Sequence, residues 1–275
     1  MLRCLSMEPV RRNRPKSLRR PSLTVLFPAH NEEDYVAGAI RLALRDLAPL
    51  VSELEILVVD DASTDRTRPI AESIAREDPR VRVLAHERNR TLGATLRTGF
   101  ANARQEFVLY SDIDLPFDLS EVARAFRAIE YAGADAVFGY RHDRTSEGLR
   151  RTIYSFAWNW IVRLLFGVRV RDVNFSFKLL RRSLLDRFPL RSEGSFIDAE
   201  LVVRCQRHGA RIAQIGIDYF PRSRGVSKLS GFRTIRRMLA EMLRIAPELR
   251  RGRAPAPSGT RLREGAPVPG VGPRA

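Results

Sequence analysis

The sequence predicts an α/β protein: a Rossmann-like, mostly parallel β-sheet flanked by helices on both faces. Three observations carry this expectation. Short apolar runs recur along the first half of the chain, and Leu54–Val59 is interrupted only by Glu55, as suits a strand covered on both faces. Between these runs lie segments whose apolar residues repeat at helical spacing. Polar clusters follow directly on the strand ends, at Pro28–Glu32, Asp60–Asp65 and Asp112–Asp114. In sheets of this class ligands bind at the carboxyl ends of the strands.

Taken in order, residues 22–27 (SLTVLF) form the first strand, stopped by Pro28. Asn31, Glu32, Glu33 and Asp34 then open a helix with Val36, Ile40, Leu44 and Leu47 on its apolar side, because acidic groups suit the positive end of the helix dipole. The second strand, 54–59, runs into Asp60 and Asp61, and Ser63 or Thr64 is placed to cap a helix carrying Ile70, Ala71 and Ile74. A third strand spans 81–85 and a helix 92–103. The fourth strand begins at Glu106 and delivers Asp112 and Asp114, spaced i, i+2, to a sheet edge. Asp118 and Glu121 have the spacing of a capping box for the next helix, and 136–139 is a fifth strand.

The second half differs in kind. Residues 152–166 read as an aromatic, apolar helix interrupted by Asn159 and Arg163, too short to span a bilayer and suited either to an interface or to a core. Residues 175–180 and 212–220 read as flanking strands, with a helix over 198–208 between them. From 232 to 249 one helix face holds Phe232, Ile235, Met238, Leu239, Met242 and Leu243 and the other Arg233, Arg236, Arg237 and Arg244. Such C-terminal amphipathic character suits either a headgroup layer or docking on the domain.

The 275 residues are enough for one sizeable core, and the formal charge of +16 is concentrated at the ends. Residues 1–21 hold seven Lys/Arg against Glu8 and residues 250–275 hold six against Glu264, leaving +5 for 22–249. The expected organisation is a disordered basic tail over 1–21, a domain over 22–249 divided near 141/142, and a disordered Pro/Arg-rich tail over 250–275. Cys4 and Cys205 offer no metal or redox spacing, so a reducing compartment is expected. No run has the length of a secretory leader or a spanning helix, which places the protein in the cytosol or on a membrane surface.

Two carboxylates at a strand end can share a divalent cation with substrate phosphates, water completing the shell. No Gly-x-Gly-x-x-Gly follows the first strand and no Gly-Lys-Ser/Thr phosphate loop is present, which argues against a dinucleotide dehydrogenase and a nucleotide hydrolase.

Phe27-Pro28-Ala29-His30-Asn31-Glu32, Val58 to Asp65, Asn89 to Gly99 and Asp112-Ile113-Asp114 together resemble glycosyltransferase family 2, in the branch of the dolichyl-phosphate mannose and glucose synthases. The resemblance spans roughly residues 22–245. It implies a GT-A fold whose first half, 22–141, binds a nucleotide sugar of the GDP-mannose or UDP-glucose type, and whose second half, 142–249, meets acceptor and membrane. It implies that Pro28, Ala29, Asn31 and Glu32 wrap base and ribose, that Asp60 contacts the base with Asp61 beside it, and that Asp112 and Asp114 hold ribose, Mg2+ or Mn2+ and diphosphate. Arg222, Ser227 and Lys228 match the family's Arg-x-x-Gly-x-Ser-Lys segment, whose cations meet the donor diphosphate or the acceptor phosphate; Arg141 is a further candidate. Asp198, with Glu200 near it, falls where relatives keep a carboxylate near the acceptor, a base for a hydroxyl acceptor or a positioning group for a phosphate.

Two departures stand out. Leu115-Pro116-Phe117 offers no polar ligand after the acidic pair, and Phe175-Ser176-Phe177-Lys178 stands where relatives usually have a glycine. The expected function is a metal-dependent inverting transfer of mannose or glucose to a polyprenyl or dolichyl phosphate at the cytoplasmic membrane face. A peripheral membrane contact, and a membrane-protein partner as a possible anchor, go with that reading. The alternatives are transfer to a hydroxyl of a glycan or glycolipid, and, from another class, a basic nucleic-acid-binding protein. The absence of helix-turn-helix, zinc-ligand and RNA-binding signatures speaks against nucleic acid.

Overall fold

A computed structural model describes residues 20–142, 149–220 and 232–251 of the chain. The two expected tails and the Arg222–Lys228 segment therefore lie almost wholly outside the described residues. Strands and helices alternate as β1 (Leu23–Ala29), α1 (Val36–Leu47), β2 (Leu54–Asp60), α2 (Thr67–Glu77), β3 (Val81–Ala85), α3 (Thr91–Asn102), β4 (Phe107–Tyr110), α4 (Glu121–Ala132) and β5 (Ala136–Arg141). The second half adds α5 (Leu149–Phe166), β6 (Lys178–Arg181), α6 (Arg182–Leu185), α7 (Ile197–Arg207), β7 (Ile212–Ile217) and α8 (Phe232–Arg251).

The seven strands form one sheet in the order β3-β2-β1-β4-β6-β5-β7. β1, β2, β3 and β4 are mutually parallel, and β6 runs antiparallel between β4 and β5, so that β4 and β5 end at the same edge. Alternate strand residues feed two cores, as the two-residue period of a pleated strand dictates. Val25, Phe27, Ile56, Val58 and Leu109 pack with α1, α2 and α4 on one face. Leu26, Leu57, Val59, Val108 and Tyr110 pack with α3, α5, α7 and α8 on the other. This is the three-layer α/β arrangement the sequence predicts.

Several element boundaries differ from expectation for identifiable reasons. Pro28 does not stop β1, which continues to Ala29. Asn31 to Asp34 precede α1 rather than forming its first turn, because the amides of Asn31, Glu32 and Glu33 are committed to side chains that follow β2. Neither Ser63 nor Thr64 caps α2; Asp65 Oδ1 accepts from the Thr67 amide at 2.9 Å. Before α4, Asp118 Oδ1 accepts from the Ser120 amide at 2.7 Å, while the Glu121 carboxylate pairs with Arg124 instead of closing a capping box. Of the expected 175–180 strand only residues 178–180 join the ladder, in a strand that runs on to Arg181, because Phe175 and Phe177 turn into the core. The strand expected over 212–220 ends at Ile217.

The C-terminal helix docks on the domain. Met242, Ile245, Ala246 and Leu249 are buried against the second core, whereas Leu243, expected on the apolar face, is exposed. Glu248 pairs with Arg204 of α7 at 2.8 Å, and Glu241 Oε1 accepts from the amides of Glu193 and Gly194 at 3.1 and 2.9 Å. The side chains of Phe232, Arg233 and Ile235 lie outside the described residues.

The loop at 191–194 is thereby pinned from three sides. Glu200 of α7 accepts from the Ser192 amide at 2.7 Å, Arg97 of α3 donates to Ser192 O, and Gly93 N donates to Glu193 O at 2.6 Å. A Cβ on Gly93 would strike the backbone carbonyls of Ser192 and Glu193. Gly93→Ala is therefore expected to destabilise the protein by about 1–3 kcal/mol through overpacking. Gly38→Ala in α1, where a Cβ meets open space, is expected to stabilise by up to about 1 kcal/mol. Urea unfolding of the two variants checks both signs.

Candidate active site

Because β1, β2 and β4 are parallel, their carboxyl ends open onto one rim. Ala29 sits beside Asp60 in the register, and Leu26 beside Tyr110. Asp60 and the end of β4 are thus separated by two strand spacings, roughly 10 Å. The rim brings together the predicted Pro28, Ala29, Asn31, Glu32, Asp60, Asp61, Asp112 and Asp114.

The loops after β1 and β2 are fastened to each other. Asn31, at φ 55°, donates its amide to Ser63 Oγ at 3.0 Å and accepts from the Thr64 amide at 2.8 Å. Asparagine tolerates this left-handed conformation better than most residues. The Glu32 amide donates to Thr67 Oγ1 at 2.7 Å, and the Asp61 amide to Ala29 O at 2.8 Å. Residues expected to wrap a ligand thus begin as a preassembled double loop, with Asn31 exposed at its lip.

Asp60 and Asp61 behave differently despite being neighbours. Both are buried. Asp61 Oδ1 accepts from His86 Nδ1 at 2.7 Å and from the Arg90 amide at 2.8 Å, while His86 Nε2 meets Thr98 Oγ1 at 2.9 Å. Asp61 therefore ties β2 to the start of α3, and its carboxylate is engaged with the scaffold. Asp60 Oδ2 accepts from the Ser63 amide at 3.2 Å, but among the described residues no donor meets its buried Oδ1. A buried carboxylate oxygen left unsatisfied costs on the order of 1–3 kcal/mol, more for a charged group. An N–H donor from a ligand would relieve it.

Asp112 and Asp114 follow β4 and are half-buried, in a turn closed by Leu115 N to Asp112 O at 3.2 Å with Leu115 at φ 44°. Burial, together with the charges of Asp198, Asp112 and Asp114, holds the Tyr110 hydroxyl well above its ordinary pKa. It therefore stays protonated and hydrogen-bonds Asp112. The pair supplies hard oxygen donors in the number a magnesium-type ion takes from protein, leaving its other positions to phosphate and water. Among the described residues no group of three or more His, Cys, Asp and Glu gathers as a metal site, so the fit rests on these two carboxylates.

Asp198 lies beneath the rim. It opens α7, is 6% exposed, and accepts from Lys178 Nζ at 2.6 Å. The same ammonium donates to Phe175 O at 2.7 Å and lies 5.2 Å from the centre of the Tyr110 ring. Burial raises the Asp198 pKa, and Lys178 opposes the rise. The carboxylate expected near the acceptor is thus one half of a buried ion pair, held against Tyr110, whose hydroxyl meets Asp112. Lys178 stood out in sequence only as a departure; its alignment opposite Tyr110 in the β4–β6 ladder is what gives it a place here.

Arg141 is also committed. It forms a bidentate pair with the buried Asp172 at 2.8 and 3.2 Å and stacks over Phe175 and Tyr219. Arg222, Ser227 and Lys228 lie outside the described residues. A surface hollow of about 490 Å3 lined by Leu54, Glu55, Arg82 and Arg104 sits at the opposite, amino-terminal edge of the sheet, away from the acidic rim.

Residues 24–192 match the family described as Glycosyl transferase family 2. The chain is 30% identical over 229 residues to the glycosyltransferase AglD of Haloferax volcanii, covering 81% of this chain and 36% of that protein. It thus spans about a third of that relative's length. It is 29% identical over 221 residues to the polyprenol monophosphomannose synthase of Mycolicibacterium smegmatis, covering 75% and 80%. The mannosyltransferase PcManGT of Pyrobaculum calidifontis, solved with GDP-Man and Mn2+, shares the fold at a TM-score of 0.59 and 21% identity, covering 86% of this chain and 66% of that one. A double loop with a buried carboxylate, an Asp-x-Asp turn on the same rim and a family match over most of the domain agree: this chain belongs to glycosyltransferase family 2.

Proposed function

We propose that the protein transfers a hexose, mannose or glucose, from a nucleoside diphosphate sugar to a polyprenyl phosphate, with inversion, at the cytoplasmic face of a membrane. The observation that carries this reading is the convergence of Asp60, Asp112 and Asp114 on one rim. Asp60 Oδ1 is placed to accept an N–H of the nucleobase, which both a uracil and a guanine offer. Asn31 and Glu32 line the ribose side, and Asp112 and Asp114 would hold the cation with the donor diphosphate. Bound there, Mg2+ or Mn2+ supplies charge neutralisation for the departing nucleoside diphosphate.

The acceptor follows from what Asp198 lacks. A hydroxyl acceptor asks for a general base within reach of its proton, and Asp198 is buried and paired to Lys178. A phosphate monoester is already anionic and needs cations, for which Arg222 and Lys228 are the candidates, with Ser227 as a hydrogen-bond donor. The polyprenol monophosphomannose synthase among the relatives supports the same acceptor class.

The test is a transfer assay with Mn2+, radiolabelled GDP-mannose and UDP-glucose, and matched polyprenyl phosphate and polyprenol acceptors. Labelled lipid should form from the phosphate and not from the alcohol. Product from the alcohol alone would overturn the acceptor, and no product from any nucleotide sugar would overturn the reaction.

A further inference from the structure

Asp60 Oδ1 is not alone near the rim as a buried polar atom without a partner. Among the described residues nothing meets Ser176 Oγ either, although Ser176 is only 2% exposed. Leaving a hydroxyl unmet in a protein interior costs stability that an alanine would not. The ladder shows where this one lies. β6 runs antiparallel to β4 with Lys178 opposite Tyr110, so two residues further toward the rim Ser176 comes level with Asp112. On its other side Lys178 stands opposite Phe138 of β5, and the Gly139 amide donates to Phe177 O at 2.9 Å, which carries the same register up to Ser176. Phe175 and Phe177 enter the first core, so Ser176 between them faces the other way, as Lys178 does where it meets Asp198 and the Tyr110 ring. On that side, too, the Tyr110 hydroxyl hydrogen-bonds Asp112.

We infer that Ser176 is a specificity-determining residue whose hydroxyl hydrogen-bonds the hexose of a nucleoside diphosphate sugar. The inference rests on the donor reading above and names the residue that reads the sugar. The order of strands supplies the direction. Along β2-β1-β4-β6 the rim presents Asp60, then Asp112 and Asp114, then Ser176. A donor whose base is met by Asp60 and whose diphosphate is held at the turn after β4 has its hexose next in line, one strand spacing or roughly 5 Å further on. A hexose offers several hydroxyls, each able to donate to or accept from a serine. A phosphate in that place would call for a cation, and Lys178, two residues on, is already paired with Asp198. Because Ser176 is buried, the hexose reaches it only as the neighbouring turn at Asp112–Leu115 gives way. Leu115, at φ 44°, holds that turn in a conformation that bulky side chains disfavour. In so dry a place the contact discriminates sharply, since a sugar that presents no hydroxyl there leaves the serine unmet.

Ser176→Ala is an informative variant because stability and sugar binding should move in opposite directions. Without ligand it should unfold at the same or a higher urea concentration than wild type, as removal of an unmet polar group predicts. Calorimetric titrations of the full chain with Mn2+ would use GDP-mannose, UDP-glucose, GDP and UDP. The nucleotide sugar that wild type prefers should bind the variant about fivefold to tenfold more weakly, while the matching nucleotide binds both proteins equally. Monodeoxy derivatives of that nucleotide sugar, taken one position at a time, then identify the hydroxyl. At one position wild type should lose about as much affinity as Ser176→Ala has lost, and the two losses should not add. Unfolding of the variant at lower urea, equal weakening of nucleotide and nucleotide sugar, no weakening of either, or losses that add at every position would each overturn the inference. Transfer to polyprenyl phosphate, measured beside binding, separates the two claims. If wild type binds the nucleotide sugar through Ser176 yet transfers it to no acceptor, the proposed reaction falls and the sugar contact stands. If it transfers and Ser176→Ala matches it in binding and rate, the contact falls alone. A wild type that binds no nucleotide sugar takes both down.

Discussion

Asp114→Asn should reduce kcat/KM for sugar transfer by about 10^3-fold, equivalent to roughly 4 kcal/mol of transition-state stabilisation. The substitution keeps the size of the side chain and removes its charge at the turn after β4, where the carboxylate pair would hold the cation against the donor diphosphate. Asp112→Asn should lose a comparable amount. Its defect has two sources, the missing charge and the altered acceptor for the Tyr110 hydroxyl. Titration with Mn2+ distinguishes a metal-site defect from a general one. The variants should need much higher Mn2+ for half-maximal rate, while nucleotide binding measured without metal stays within a few-fold of wild type. Unchanged turnover of Asp114→Asn at limiting Mn2+ would remove the acidic pair from the reaction.

The second large effect is expected at Lys178. Removing one partner of a buried ion pair leaves the other charge uncompensated, which costs about 3–5 kcal/mol. Lys178→Met should therefore unfold at markedly lower urea, and Asp198→Asn should do the same for the opposite reason. The double variant Lys178→Met/Asp198→Leu should recover much of the loss, because apolar replacement of both partners is often close to neutral. The pH dependence has a definite sign. Burial already raises the Asp198 pKa, and losing Lys178 removes the group that opposes the rise. In Lys178→Met the folded state thus holds this proton more tightly than the unfolded chain does. The stability deficit should be small below the ordinary carboxylate range, where Asp198 is neutral in both states. It should grow as pH rises through the raised folded value. A deficit that is flat from pH 4 to 8 would contradict the pairing.

The chain made most of the fold legible because its strongest signals are local. The mostly apolar Leu54–Val59 run, the helical spacing in 36–47 and the strand ending at Asp112 each depend on a few neighbouring residues, and all appear within a few residues of where the pattern puts them. The insertion of β6 antiparallel between β4 and β5 is a long-range pairing, for which periodicity carries no information. The acidic rim was readable for the same reason the strands were, since strand ends in a parallel sheet share an edge. What Asp198 and Asp61 do there was not. Their partners, Lys178 and His86, lie 20 and 25 residues away in sequence, and only the packing of α7 and α3 brings them into contact. Glu33, which read as an ordinary helix-start acid, instead binds across the gap between two loops, its amide donating to Asp65 Oδ2 and its carboxylate accepting from the Arg66 amide. Arg141, a further candidate for meeting a phosphate, is paired with Asp172, 31 residues away in sequence, a partner that local pattern does not show.

The latch between α8 and the loop at 191–194 changes where this protein can be cut. The family match stops at Ser192, inside the very loop that Glu200 and Glu241 hold. A fragment ending there would lose α7, β7 and α8, uncover Leu96, Phe100 and Val108 on the second face of the sheet, and leave the carbonyl shelf under Gly93 without its anchors. The smallest piece able to stand by itself therefore reaches at least to Leu249, and any transplant of this catalytic module into another chain has to carry its last helix along.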